Sequence, residues 1–276
     1  MPQRPAFFTR EGDHYLPTEA AHSHWSDDSL NGPAVCGLAA AVVEAGHGRS
    51  GWRPARFTLD LFKNARRLPT AVSTQVLRAG GRILAVQVQL RQRADDGTES
   101  LVAQGVTVFL KEGTDPPGER WQRPASARTF TPPESSGEAA YFGDDVQGWT
   151  TDMAAHQHGR RHRLWTVANR ITEESEPTPF VRAVVNGESA SLMTNWGSDG
   201  IGFINCDLTV SLVRLPRGER IGVEADDHLE ADGISTGTAT LHDADGPFGV
   251  AVVTAVDNSR ALIDFTEQEP VTFREA

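Results

Sequence analysis

Residues 58–69 read TLDLFKNARRLP and residues 205–216 read NCDLTVSLVRLP. Overlaid without a gap, they share Asp60 and Asp207, Leu61 and Leu208, Arg67 and Arg214, Leu68 and Leu215, Pro69 and Pro216. A chain that repeats itself must build like units, so a repeat constrains the architecture before any local propensity does. The flanks repeat in the same order. Pro33 and Pro179 lie 146 positions apart, Pro69 and Pro216 147, and the turns Asp96-Gly97 and Asp245-Gly246 149. Small insertions account for the drift, and duplication is the better reading.

Each copy carries one apolar helix followed by antiparallel strands. In the first, Pro33 opens a helix at a position where its missing N–H costs nothing. Val35, Leu38, Ala39, Val42 and Val43 then give the i, i+3, i+4, i+7, i+8 spacing of a buried face, with Gly46 as the stop. In the second, Thr178 is the N-cap and Pro179 sits in the first turn. Downstream, alternating apolar residues separated by Gly80-Gly81, Asp96-Gly97, Asp232-Gly233 and Asp245-Gly246 predict hairpins. The early strands are expected in HYLPTEAAHSHW and RHRLWTVANRIT. A helix this apolar needs a sheet wrapped around it. The expected class is therefore α+β: two tandem repeats over residues 1–113 and 139–276, joined by a Pro-, Gly- and charge-rich linker over 114–138.

Composition narrows the function. The net charge of −11 opposes nucleic-acid binding, which needs concentrated Lys and Arg. No window approaches the roughly 18 apolar residues of a membrane span. The N-terminal MPQRPAFFTREGDHY has no apolar signal core, so a cytoplasmic protein is expected. Two cysteines, Cys36 and Cys206, lie in apolar runs and read as reduced, buried small hydrophobes rather than a disulfide framework.

These residues resemble the acyl-CoA thioesterase-like proteins of the double hotdog fold. LNGPAVCGLAAAVVEA resembles the family's helix entry, and ARFTLDLFKNARRLP followed by LRAGGR its long strand and turn. FINCDLTVSLVRLPRGERIGVEA and DGISTGTATLHDADGPFG resemble the C-terminal hotdog of bacterial members. The resemblance implies a curved antiparallel sheet around one helix, twice over, and an acyl-CoA substrate. It also implies hydrolysis by an activated water without a covalent enzyme intermediate or cofactor. Doubled members use an Asp on the second helix, a Thr or Ser on the next long strand and a Gln on the last strand. Carried over, these fall at or near Asn186, on Asn205 and on Thr254. The chain departs at all three positions, so an acyl-thioester binding protein that has lost catalysis is the rival reading.

One acid survives nearby. Val181, Val184 and Leu192 stand at i, i+3 and i+11, and Glu188 at i+7 completes their face. A carboxyl on an apolar stripe is costly unless paired or used, and its pKa rises. Glu188 is therefore either a base or water-orienter, or a residue pointing to water at a bend made by Gly187. Asn205 can hold a water or cap a strand end. Thr254 can orient water weakly or simply suit a strand. Gly32 is expected at the helix entry lining the pocket. Arg160 and Arg161, in GRRHR, are candidates for CoA phosphates or for a solvated hairpin tip.

Other signals are set aside. GHGRSG matches G-x-G-x-x-G but follows a helix and runs into Trp52-Arg53-Pro54, the wrong context for dinucleotide binding. AHSHW and HQHGRRH supply histidines without a convincing zinc set, so no metal is expected. Ser189 and Ser191 have no evident His partner, and no N-P-x-H hydratase motif occurs. Unpaired sheet edges predict a homodimer or higher homo-oligomer.

Overall fold

In the computed structural model, residues 4–267 are described, apart from 95, 125–129, 135–136 and 138. Helix α1 (Gly32–His47) starts where the side-chain oxygen of Asn31 accepts the Ala34 N–H at 2.8 Å. It runs past Gly46 and ends at Gly48. The predicted stripe is buried except Val42, which is half-buried, and Cys36, Gly37 and Ala40 are buried too. A helix buried on most sides needs cover beyond one sheet. The second helix provides it. Helix α2 (Pro179–Gly187) is capped by Thr178, whose side chain accepts the Val181 N–H at 3.2 Å. After a break at Glu188 and Ser189, helix α3 (Ala190–Asn195) continues. Gly37 lets α1 and α2 approach closely: a Cβ there would lie 2.7 Å from Val185 Cγ2 and 2.6 Å from Ile171 Cδ1.

The first half contributes strands β1 (Ala6–Glu11), β2 (His14–Pro17), β3 (His22–Ser23), β4 (Ser26–Leu30), β5 (Trp52–Leu61), β6 (Thr70–Ala79), β7 (Ile83–Arg93) and β8 (Glu99–Lys111). The second contributes β9 (Tyr141–Asp144), β10 (Gly148–Thr150), β11 (Arg163–Val167), β12 (Arg170–Thr172), β13 (Trp196–Gly197), β14 (Gly200–Ile201), β15 (Phe203–Asn205) and β16 (Asp207–Leu212). It closes with β17 (Arg220–Ala231), β18 (Ile234–Asp243) and β19 (Gly246–Asp257). One sheet runs in the order β10-β9-β11-β17-β18-β19-β16-β5-β8-β7-β6-β2-β1-β12, with β15 also on β19.

The two like stretches meet in the middle of that sheet. β5 and β16 pair antiparallel, with Asp60 opposite Asp207, Leu59 opposite Leu208 and Thr58 opposite Thr209. Alternation along each strand sends Phe57, Leu59, Val86, Val88, Leu208, Val210, Ala239, Leu241, Ala251 and Val253, all fully buried, to the helix side. The same period sends their neighbours to the outer face.

Two features lay beyond the sequence patterns. Strand β1 pairs parallel with β12, Ala6 opposite Arg170, so the start of the chain is built into the second half. Arg4 donates to Ala168 O at 3.1 Å across the same junction. The stretch after β8 is no free tether either, for Phe130 stacks on His242 with ring centroids 4.3 Å apart.

Candidate functional site

The break after α2 places an unusual carboxyl. Gly187 weakens the helix and the Ser189 N–H turns back to Asn186 O at 3.1 Å, so regular α-helix ends with Glu188 as its C-cap. Glu188 does not point to water. It is 7% exposed, and its carboxyl lies over Gly32, the first residue of α1. A Cβ built on Gly32 would sit 1.9 Å from Glu188 Oε1 and 2.3 Å from its carboxyl carbon. Only glycine leaves room for that carboxyl at the helix entry.

Asn205 completes the contact. It ends β15, and its Nδ2 donates to Glu188 Oε1 at 3.1 Å and to Asp207 O at 3.4 Å. Burial pushes the Glu188 carboxyl up to about 8, and the Asn205 hydrogen bond opposes that only in part. Cys36, one turn into α1, is fully buried, and its thiol is held well above its usual value by burial and then by the Glu188 charge. The N–H groups of the first helical turn have no intrahelical acceptor. Pro33 has no N–H, Ala34 donates to Asn31 Oδ1, and Val35 donates to Asn31 O at 3.3 Å. The Gly32 N–H remains at the positive end of the helix, beside the carboxyl.

Glu188, Gly32 and Asn205 are thus brought together from the second helix, the first helix and β15. The other predicted residues go elsewhere. Asn186 is 2% exposed, and its Nδ2 has no hydrogen-bond partner among the described residues. Thr254 lies between Val253 and Ala255, both buried on the helix side, so alternation turns its side chain to the outer face. Its N–H is held by Asp207 Oδ1 at 2.7 Å. Cys206, expected to be buried, is exposed because it occupies the break between β15 and β16. It donates to Thr254 O at 3.3 Å.

Arg160 and Arg161 are engaged with acids of their own half. Arg160 Nε meets Asp144 Oδ1 at 3.2 Å, and Arg161 Nη2 lies 3.3 Å from Glu224 and 3.5 Å from Asp226. Around Asp144 the histidines form a hub that sequence spacing did not resolve. His156 Nδ1 and His158 Nε2 reach Asp144 Oδ2 at 2.9 and 3.0 Å, while Oδ1 accepts the Val146 and Gln147 N–H groups. These hydrogen bonds hold the Asp144 carboxyl well below the usual carboxylate range.

Asp144, His156 and His158 are also the residues nearest to a metal-ligand set, their ligand atoms within 4.8 Å of one another. Their hydrogen bonding suits protons rather than a cation. The Arg160 N–H points at His158 Nδ1, 3.3 Å away, which leaves that ring's proton on the nitrogen facing Asp144. The Arg160 guanidinium already supplies positive charge to the same carboxylate.

Comparison with known proteins places this geometry. A model of the acyl-CoA thioesterase N-terminal domain matches residues 21–110, and one of the acyl-CoA thioesterase C-terminal domain matches residues 111–255. No curated protein matches the chain. Among solved structures, the chain is similar to a protein described as a thioesterase II from Thermobifida fusca YX. The TM-score is 0.65 at 15% identity, covering 93% of this chain and 98% of that one. It is similar to a tesB protein of Mycobacterium avium subs paratuberculosis, with TM-score 0.63, 13% identity, and 91% and 95% of the two chains covered. A hot dog fold protein of unknown function from Alicyclobacillus acidocaldarius gives TM-score 0.61 at 11% identity, covering 91% and 95%. At such identities the likeness is one of fold, and the fold is the hotdog. With the C-terminal model alone spanning residues 111–255 of 276, the chain belongs to the acyl-CoA thioesterase family.

Proposed function

We propose that this chain is a double hotdog, with units over residues 1–113 and 139–276 and a linker over 114–138, and that it hydrolyses an acyl-CoA thioester to the free acid and CoA. The observation that carries this reading is the Glu188 carboxyl, buried over Gly32 at the N-terminus of α1 and held by Asn205. In its ionised form Glu188 takes a proton from a water that attacks the thioester carbonyl carbon. The carbonyl oxygen gains negative charge, which the Gly32 N–H and the positive end of α1 stabilise. Collapse breaks the carbon–sulfur bond, and the proton on Glu188 passes to the departing thiolate. Asn205 orients the carboxyl or the water but cannot act as the base. Asn186 and Thr254 contribute polar groups at greater remove, and Thr254 acts only if its strand face reaches the substrate. Arg160 and Arg161 meet CoA phosphates only by leaving Asp144 and Glu224. We place the protein in the cytoplasm, as a homo-oligomer.

A second reading has its own observation. With its carboxyl titrating near 8, Glu188 is mostly protonated at neutral pH, which suits a protein that binds an acyl thioester without cleaving it. One assay separates the two. Purified protein is offered acyl-CoAs of graded chain length, with free thiol release and binding both measured, for the wild type and Glu188→Gln. Hydrolysis lost in the variant supports the enzyme. Tight binding with no release by the wild type at pH 7 or pH 9 supports the binding protein.

A further inference from the structure

The gapless overlay of the two copies sets Thr58, Leu59 and Asp60 on Asn205, Cys206 and Asp207. In the first copy these residues pair with β8 without a break: Thr58 opposite Val106, Leu59 opposite Gly105, Asp60 opposite Gln104. Leu59 is buried on the helix side, so Thr58 and Asp60 face outward. Unbroken alternation would turn Asn205 outward in the second copy as well, away from Glu188. The ladder slips instead. Thr209 stands opposite Val252, which would set Asn205 opposite Val256, yet Asn205 stands opposite Ala255. One extra residue on this strand is a β-bulge, and it lies at Cys206, between β15 and β16. Asn205 therefore shares the face of the buried Ala255 and reaches Glu188, while Asp207 returns to the outer face with Thr209.

A bulge disturbs the ladder and leaves a backbone donor to be satisfied some other way. Here the Thr254 N–H goes to Asp207 Oδ1 at 2.7 Å, and the Cys206 N–H goes to Thr254 O at 2.9 Å. The Asp207 carbonyl in turn accepts the Asn205 amide at 3.4 Å. Asp60, the matching residue on the unbroken strand, makes no side-chain hydrogen bond among the described residues. We propose that Asp207 is a positioning residue for Glu188: its carboxylate locks the bulge at Cys206, and the bulge turns the Asn205 amide inward onto the Glu188 carboxyl. The catalytic weight of this lock rests on the hydrolase reading, whereas the lock itself is read out by the titration of Glu188, with or without turnover. The other titratable groups near the two carboxyls are Cys36 of α1 beside Glu188, and Cys206 and Asp60 beside Asp207.

Infrared difference spectroscopy on the full chain follows the protonated Glu188 carboxyl across pH, assigned by its absence in Glu188→Gln, with melts to establish that every variant folds. Losing the Asn205 donor raises a carboxyl pKa, whereas losing a nearby negative charge lowers one, so the two consequences of changing Asp207 have opposite signs. Asp207→Ala is expected to raise the Glu188 midpoint by about one pH unit, as Asn205→Ala does. Asp207→Asn keeps an acceptor for the Thr254 N–H and should not raise it. The double variant D207A/N205A should rise no further than Asn205→Ala alone, because both changes remove the same contact. Asp207→Val, which suits a strand and accepts nothing, replaces the alanine variant if that one does not fold. A midpoint that falls or stays in Asp207→Ala overturns the proposal, as does an equal rise in Asp207→Asn or a further rise in the double variant. Thiol release is measured alongside, and kcat at pH 7 should fall roughly tenfold in Asp207→Ala with KM little changed. A wild type that releases no thiol refutes the hydrolase reading, and the titration still decides the lock.

Discussion

The two ends of the helix pair invite comparison, since each brings a glutamate to the N-terminus of the opposite helix. At one end Glu188 lies over Gly32 of α1. At the other, Glu44 of α1 accepts a hydrogen bond from the hydroxyl of Thr178, the N-cap of α2. The caps differ, and so do the carboxyls. Thr178 both caps its helix and serves Glu44, which is only half-buried. Burial raises the Glu44 carboxyl, and the Thr178 hydroxyl pulls it back. Asn31, by contrast, is fully spent on backbone: it accepts from Ala34 and donates to Ala20 O at 3.0 Å and His22 O at 3.1 Å. Nothing from the α1 cap reaches Glu188, and a bare glycine leaves space for it. One end therefore uses its carboxyl to finish a cap, while the other holds one in reserve beside the Gly32 N–H.

Exchanging the glutamates breaks the comparison most sharply. Glu188→Gln should lower kcat for thiol release by about 100-fold or more, the usual worth of a positioned base. Glu44→Gln should leave it within about twofold. Equal losses in the two variants would abolish the distinction. Gly32→Ala comes next, because the new methyl collides with Glu188 Oε1. It should cost about 1–3 kcal/mol in a urea melt together with most of the activity. The matching change Thr178→Ala removes a cap and should cost about 1 kcal/mol with kcat retained.

Titration sharpens the contrast further. A base with its carboxyl near 8 makes kcat/KM rise with pH and level off above that value. Stability moves the other way. The folded pKa of Glu188 is above its unfolded value of 4.5, so the folded state holds the extra proton between the two. The wild type should therefore lose stability as pH rises from about 4.5 to 8, by up to a few kcal/mol. Glu188→Gln should melt higher than the wild type, with a gap that widens toward pH 8. A gap independent of pH would show that Glu188 is ionised throughout. Asn205→Ala, which removes the donor to Glu188 Oε1, is expected to act less strongly than Glu188→Gln. Its activity limb should move to higher pH, with a roughly tenfold fall in kcat at pH 7.

How much of this was legible follows from which forces act locally. The repeat, the two helices and the hairpins could be read because caps, Asp-Gly turns and apolar periods act over a few residues. The i+7 position of Glu188 correctly marked a carboxyl turned inward, although the helix breaks there and Leu192 belongs to the next segment. The outward turn of Thr254 depends on strand phase along β19, and a run as rich in Val as this one hides its phase. Arg160 and Arg161 looked available because their acidic partners, Asp144, Glu224 and Asp226, are 16 to 65 residues away and meet them only in the folded sheet. The dimer expectation named sheet edges, and the strands at the two ends of the sheet, β10 and β12, are three residues long. Asn205 stood out only as a departure from the family's hydroxyl, and its role as the donor to Glu188 required the tertiary contact.

The parallel seam between β1 and β12 bears on what a cut could achieve. A protease that nicks the stretch after β8 severs the covalent link between the halves, yet the first fragment keeps β1 laid along β12 and β5 laid along β16. The pieces remain stitched at two places far apart in the sheet, and the Glu188–Gly32 contact spans the same divide. Fragment complementation is therefore the natural behaviour of this chain: two polypeptides expressed apart should find each other and rebuild a site that neither contains alone.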